Sequence, residues 1–276
     1  MSQHQAVEVT TEQAWFLADL LRAGTYPWKL AITTPYADPG DHAAVAQRCT
    51  EELTGQGIVD ARGHVLPVVA DAIRTTCRSR QRLEWLTVID QDQILRGVLA
   101  RADTSGEAVV ALRHAQMVTF TPLHIDSGLA LVPVVTAGLD DQPPARFTEF
   151  SLPMEVGVAL DKRIAAGADI VAELVDLGVP ESDAQVMEIA RIGDHPFTEI
   201  TAQETSNGSS RATDVGVTVI NTEIGRILVS TAADEPRAGG ESVFAPAEPL
   251  AVAVALRELT DRLPERNWFP DENLTI

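Results

Sequence analysis

Residues 94–122 read ILRGVLARADTSGEAVVALRHAQMVTFTP. The pattern has the two-residue period of strands, and short polar links interrupt it. That spacing predicts strands at Ile94–Arg101, Glu107–His114 and Met117–Pro122, joined by Ala102-Asp103-Thr104-Ser105-Gly106 and by Ala115-Gln116. Links this short suit antiparallel hairpins, since a parallel crossover needs a dozen residues or more. A further strand, Leu83–Ile89, precedes them across Asp90-Gln91-Asp92-Gln93. Aspartate is at home in such a turn because its carboxylate accepts from nearby backbone N–H groups.

Upstream of this meander the pattern is helical. Thr10-Thr11-Glu12-Gln13 has the form of a capping box, and a helix runs from it to about Ala23 with Gly24 as its stop. Tyr26-Pro27-Trp28 to Tyr36 is an extended, proline-punctuated stretch. Further helices are expected from His42 to Leu53, closed by Gly55 and Gly57, and from Pro67 to Ser79. A short helix near Ser127–Thr136 completes the first half, and Asp140-Asp141-Gln142-Pro143-Pro144 reads as a linker.

The second half repeats the order. Arg146–Leu152 is extended, and a helix begins at Pro153 with Val156, Leu160 and Ile164 at spacing four. Helices follow over Ala168–Leu177 and Pro180–Ile192, stopped by Gly178 and Gly193. Strands are expected at Phe197–Thr205, Arg211–Asn221, Ile224–Ser230 and Ser242–Ala245. A last helix carries Val252, Leu256, Leu259 and Leu263 on one face. The fold class is therefore α/β in the α+β sense, with pseudo-equivalent halves at about 1–139 and 145–276. The short linker favours one fused domain over residues 1–276.

Composition narrows the function. The chain has 276 residues, 45% of them hydrophobic and 22% charged, which excludes a disordered or low-complexity protein. Its formal net charge is −19. Residues 1–138 carry 11 Lys+Arg against 15 Asp+Glu, and residues 139–276 carry 10 against 25. A surface this acidic repels phosphate, so neither nucleic acid nor an anionic membrane is an expected partner. The longest apolar run, Gly128–Leu139, is short of the roughly 20 residues a membrane helix needs and is broken by Pro133. No basic region followed by an apolar stretch opens the chain, so a cytoplasmic location is expected.

No catalytic, cofactor-binding or metal-binding motif is present, and no such residues are assigned. Cys49 and Cys77 repeat apolar helix spacings and read as small core residues rather than a disulfide or a catalytic thiol. Asp38, Asp41 and His42 lie close together; the reading favoured is that Asp41 caps the following helix, against a metal site. His114 and His124, near two strand ends, are the residues on which an acid/base or metal site would be built. Asp214, Arg226 and Thr231 fall where polar residues alternate outward on a sheet face.

Several unremarkable segments, taken in order, carry a resemblance. They are Val7–Trp15, Tyr26–Thr33, Leu95-Arg96-Gly97, Val109–Arg113, Val118–Thr121, Leu131-Val132-Pro133, Thr136–Leu139, Gly225–Val229 and Trp268–Asp271. Together they resemble EspG proteins, cytosolic chaperones of type VII (ESX) secretion in mycobacteria, and in particular the paralogue serving the third ESX system. The resemblance implies a pseudo-twofold fold with a central antiparallel sheet flanked by two helical bundles. It implies no enzymatic activity and no cofactor. It implies PE–PPE heterodimers as partners, contacted at the tip of the PPE subunit; a weak homodimer stays open as a further association. Recognition would fall to the loop from Arg101 to Glu107, with Asp103 and Thr104 inside it, and to the helices within Pro153–Ile192 and after Pro246. From pattern, Leu174, Leu177, Val179 and Val186 are the apolar contact candidates, and Asp214 and Thr231 the polar ones. Two rival readings remain at this point: an enzyme using His114, His124 and nearby carboxylates, and a self-associating structural protein.

Overall fold

The computed structural model describes residues 6–101, 107–191, 194–206, 209–231, 240–264 and 268. The first half runs β1 (Val7–Thr10), α1 (Thr11–Leu20), α2 (His42–Gly55), α3 (Pro67–Arg78), β2 (Gln81–Val88), β3 (Ile94–Arg101), β4 (Glu107–His114), β5 (Met117–His124) and α4 (Gly128–Val135). The second runs β6 (Phe150–Pro153), α5 (Met154–Ala165), α6 (Ile170–Asp176), α7 (Glu181–Arg191), β7 (Phe197–Ser206), β8 (Ser209–Ala212), β9 (Val217–Thr222), β10 (Gly225–Thr231), β11 (Glu241–Pro246) and α8 (Pro249–Asp261). With β8 set aside, each half is one strand, three helices, a four-stranded meander and a helix.

The strand order is β1-β5-β4-β3-β2-β7-β9-β10-β11-β6, with β8 paired to β7. It follows the same plan from either end, since β1 and β6 each lie beside the last strand of their own meander. The pseudo-twofold antiparallel sheet is thus present in the topology. Two compact units are found, and they do not coincide with the sequence halves. Unit 1 comprises 1–86, 94–126 and 202–212; unit 2 comprises 87–93, 127–201 and 213–276. The second half lends the end of β7 and β8 to unit 1, and the first half lends the end of β2 and α4 to unit 2, where α4 packs on α8.

In unit 1, α1, α2 and α3 cover the sheet around Phe16, Leu17, Leu53, Ile73, Val98 and Phe120. Thr10 closes the predicted capping box: its hydroxyl accepts from Gln13 N–H at 3.1 Å and its own N–H donates to Gln13 Oε1 at 3.0 Å. The irregular stretch after α1 is tied down by arginines. Arg78 donates to Ala23 O at 3.0 Å, Arg96 to Lys29 O at 3.3 Å and Arg113 to Leu30 O at 2.9 Å. In unit 2, α5, α6 and α7 pack around Leu152, Leu160, Ile170, Leu174 and Met187. Phe150 of β6 stacks on Phe244 of β11 with ring centroids 5.1 Å apart.

Several expectations are corrected. β1 was not expected, and neither was β8. The strand expected over Arg211–Asn221 is two, β8 and β9, with a bend between them. Of the extended stretch from Arg146, only Phe150–Pro153 pairs as a strand. α1 ends at Leu20, not near Ala23, because Arg22 adopts the left-handed conformation (φ 48°) that turns the chain. β5 continues past Pro122 to His124. Proline is tolerated there because β1 pairs with β5 only as far as Phe120, which leaves β5 with one neighbour beyond that point.

Gly97 on β3 is the tightest point of unit 1. A Cβ there would lie 1.9 Å from the indole of Trp85, which is fully buried and has nowhere to retreat. Gly97→Ala is therefore expected to destabilise the fold by about 1–3 kcal/mol through overpacking, read as a lowered melting temperature in calorimetry.

Candidate functional site

The surface that the sequence points to is built by α5 and α6. One face of α5 carries Val156, Ala159, Leu160 and Arg163, spaced i, i+3, i+4 and i+7. α6 is delimited by two local devices. At its start the Asp169 carboxylate accepts from Ala172 N–H at 3.0 Å. At its end Gly178 adopts φ 89°, its N–H donates to Val175 O at 2.9 Å, and Val179 N–H donates to Leu174 O at 3.0 Å. This is a Schellman ending. It sends Leu174 and Val179 inward together and leaves Leu177 outward.

A groove of about 330 Å³ lies between the two helices, lined by Val156, Ala159, Leu160, Arg163, Glu173 and Leu177. Its floor is aliphatic. Arg163 donates to the Glu173 carboxylate and joins α5 to α6 at one side. Leu177 is 49% exposed, a large apolar side chain left in water beside an apolar cavity. A partner's apolar side chain entering here would bury both surfaces, which is favourable by roughly 25 cal/mol per Å² of apolar area. The arrangement offers binding, and the carboxylate that lines it, Glu173, is engaged by Arg163.

The other candidates fall as follows. Leu174 is fully buried, and Val179 and Val186 are 8% exposed, so these three belong to the core behind the surface and are not on it. Arg101 ends β3 and is buried. Asp103 and Thr104 lie outside the described residues. Glu107 opens β4 and is exposed, with its carboxylate 3.2 Å from His124 Nδ1. Asp214 is exposed, but on the bend between β8 and β9 and not on a strand face. Thr231 ends β10 opposite Ser242 and is half-buried. Arg226 is not a free surface group: it donates to Asn221 Oδ1 at 2.9 Å and to Asp140 O at 2.8 Å. Ala159, Arg163 and Glu173 were not singled out in the sequence, and Val156 was read there only as part of the α5 spacing, not as a contact candidate.

The features considered for chemistry separate in space. His114 pairs with Met117 at one end of the β4–β5 hairpin, and His124 pairs with Glu107 at the other. Strands of eight residues, rising about 3.3 Å each, hold the two histidines more than roughly 20 Å apart, so they form no pair. Asp41 occupies the N-cap position of α2 but makes no side-chain cap; the Asp38 carboxylate instead caps the short 3-10 turn Pro39–Asp41, accepting from Gly40 N–H at 2.8 Å. His42 Nε2 lies 3.3 Å from Asp19 instead. No group of three or more His, Cys, Asp or Glu residues among the described residues could hold a metal. A second cleft, about 730 Å³, occurs in unit 1 beside the exposed Trp28. Its cation, Arg82, is already held by Glu84, Gln203 and Thr205.

The EspG family model matches residues 10–258. The chain belongs to the EspG family. It is 46% identical to the ESX-3 secretion-associated protein EspG3 of Mycolicibacterium smegmatis, over 98% of this chain and 91% of that one. It is 41% identical to EspG3 of Mycobacterium tuberculosis, over 98% and 95%. Identity to the ESX-1 secretion-associated protein EspG1 of Mycobacterium tuberculosis is lower, 28% over 95% and 89%. Among solved structures, the fold matches that of the Mycobacterium tuberculosis type VII secretion chaperone EspG5, solved with the PE25–PPE41 dimer. The TM-score is 0.77 at 20% identity, covering 96% of this chain and 99% of that one. The EspG fold is therefore shared over almost the whole length.

Both cysteines of this EspG protein are chemically quiet. Burial, then the Glu12 carboxylate, pushes the Cys49 thiol up to about 12, and burial pushes Cys77 up to about 12. Both stay protonated at neutral pH, and the thiol is not the nucleophile. A thiol reagent at pH 7.5 is expected to label neither residue rapidly in the native protein and both in denaturant. Fast native labelling of either would contradict the raised thiol pKa.

Proposed function

We propose that this EspG protein is a cytosolic, non-catalytic chaperone of the third ESX system. It binds the tip of the PPE subunit of cognate PE–PPE heterodimers through the α5–α6 groove and keeps the pair soluble until secretion. The observation that carries the reading is the exposed Leu177 at the rim of an aliphatic groove, in a half of the chain with 10 Lys+Arg against 25 Asp+Glu. A chaperone for an aggregation-prone tip needs an apolar surface to cover it and a charged exterior to remain in solution. The EspG5 structure with a PE–PPE dimer and the higher identity to ESX-3 relatives support the choice of partner and of system.

Asp214, Thr231 and, in the other unit, Glu107 remain separate polar contact candidates, each exposed or half-buried. Leu174, Val179 and Val186 act from behind by setting the shape of α6 and α7. A total buried area of about 1,600 Å² is the standard for a stable complex.

Co-expression with a PE–PPE pair of the third ESX system is expected to give a 1:1:1 complex by size exclusion with mass measurement. A pair from another system is expected to remain separate. Leu177→Arg is expected to weaken the cognate complex by roughly tenfold or more, the effect of losing a central apolar contact. It is exposed and caps a helix, so the melting temperature should hold within about 2 °C. Undiminished binding by this variant would move the site elsewhere.

A further inference from the structure

Asp169, Glu173 and Asp176 recur at i, i+4 and i+7, so they share one stripe of α6 beside Leu177. Two of them have local duties. Asp169 caps the helix, and Glu173 receives Arg163. Asp176 has neither duty. It is exposed, and among the described residues nothing donates to its carboxylate.

Asp176 is also badly placed for the helix itself. It is the last residue of α6, where the unpaired carbonyls make the negative end of the helix dipole. No basic residue offsets it in that turn. A neutral or basic residue would suit the helix better. The groove's own cation is neutralised within the groove, because Arg163 is engaged by Glu173. An incoming cation therefore meets an uncompensated negative charge on the residue next to Leu177, which lines the aliphatic socket, in the more acidic half of the chain.

We propose that the α5–α6 groove takes an apolar side chain from the PPE tip, and that a Lys or Arg next to that side chain on the tip pairs with Asp176. This rests on the chaperone reading above and specifies the chemistry by which a cognate tip is told from others. A tip bearing an acid at that place would be repelled.

The test is binding of the purified cognate PE–PPE pair to wild type, Asp176→Asn and Asp176→Lys, at about 50 mM and about 500 mM salt, alongside melting of each free chaperone. Asp176→Asn is expected to raise the melting temperature by about 1–2 °C, since it removes an acid from the helix end. It is expected to weaken binding about three- to fivefold at the lower salt. Asp176→Lys is expected to weaken it about tenfold or more, and both losses should shrink at the higher salt. Wild-type binding with unaffected Asp176→Lys binding would overturn this inference and leave the chaperone reading standing. A lowered melting temperature for Asp176→Asn would also overturn it, because the acid would then serve the fold. Absence of any complex with wild type would remove the chaperone reading and this inference together.

Discussion

The pairing of β2 with β7 is the constraint on which the rest of the architecture depends. Most other neighbours in the sheet are consecutive in sequence, so they form as local hairpins. β2 and β7 must meet across more than a hundred residues. The hydroxyls of Thr87 and Thr198 lie 2.8 Å apart at a separation of 111 positions, and Arg82 reaches Thr205 across 123. Thr205 N–H donates to Arg80 O at 2.6 Å. The entropy of closing so long a loop must be offset by the contact itself. Side chains then fix the register. Glu84 is 2% exposed and accepts from Arg82 at 2.6 Å and from Gln203 at 3.3 Å. A slip by one residue would turn Arg82 to the opposite face and strand a buried carboxylate.

Much of this was legible because the meanders are local. Ile94–Arg101 and Glu107–His114 are the observed bounds of β3 and β4, since alternating patterns between short polar links leave little freedom. The failures share a cause. β1 and β8 have four residues each, too short for a period to register, and they exist because a partner strand is available. Arg22 ends α1 in a left-handed conformation that arginine rarely adopts, so the sequence pointed to Gly24. The exchange of chain between the two units has no local signature, because it depends on which distant strand lies beside which.

The site was legible only in part, for a related reason. Spacing identified the apolar positions of α6 and the turn after it, yet it did not say which of them face water. Leu174 and Leu177 are three apart and chemically identical, and one is wholly buried while the other is half exposed. The Schellman ending at Gly178 decides this by carrying Val179 back onto Leu174. Residues joined across two helices, such as Arg163 and Glu173, are invisible to any pattern confined to one helix. Asp41 holds the N-cap position of α2 without the side-chain bond, because a 3-10 turn capped by Asp38 leads into the helix.

These features describe a scaffold whose strands are held by long-range pairing and whose proposed binding surface is a short, deliberately terminated helix pair. Hydrogen–deuterium exchange of the free protein against its complex with a cognate PE–PPE pair tests that account most directly. The account predicts slowed exchange concentrated on residues 154–178. Protection confined to the cleft around residues 24–34, with α5 and α6 exchanging as in the free protein, would contradict it.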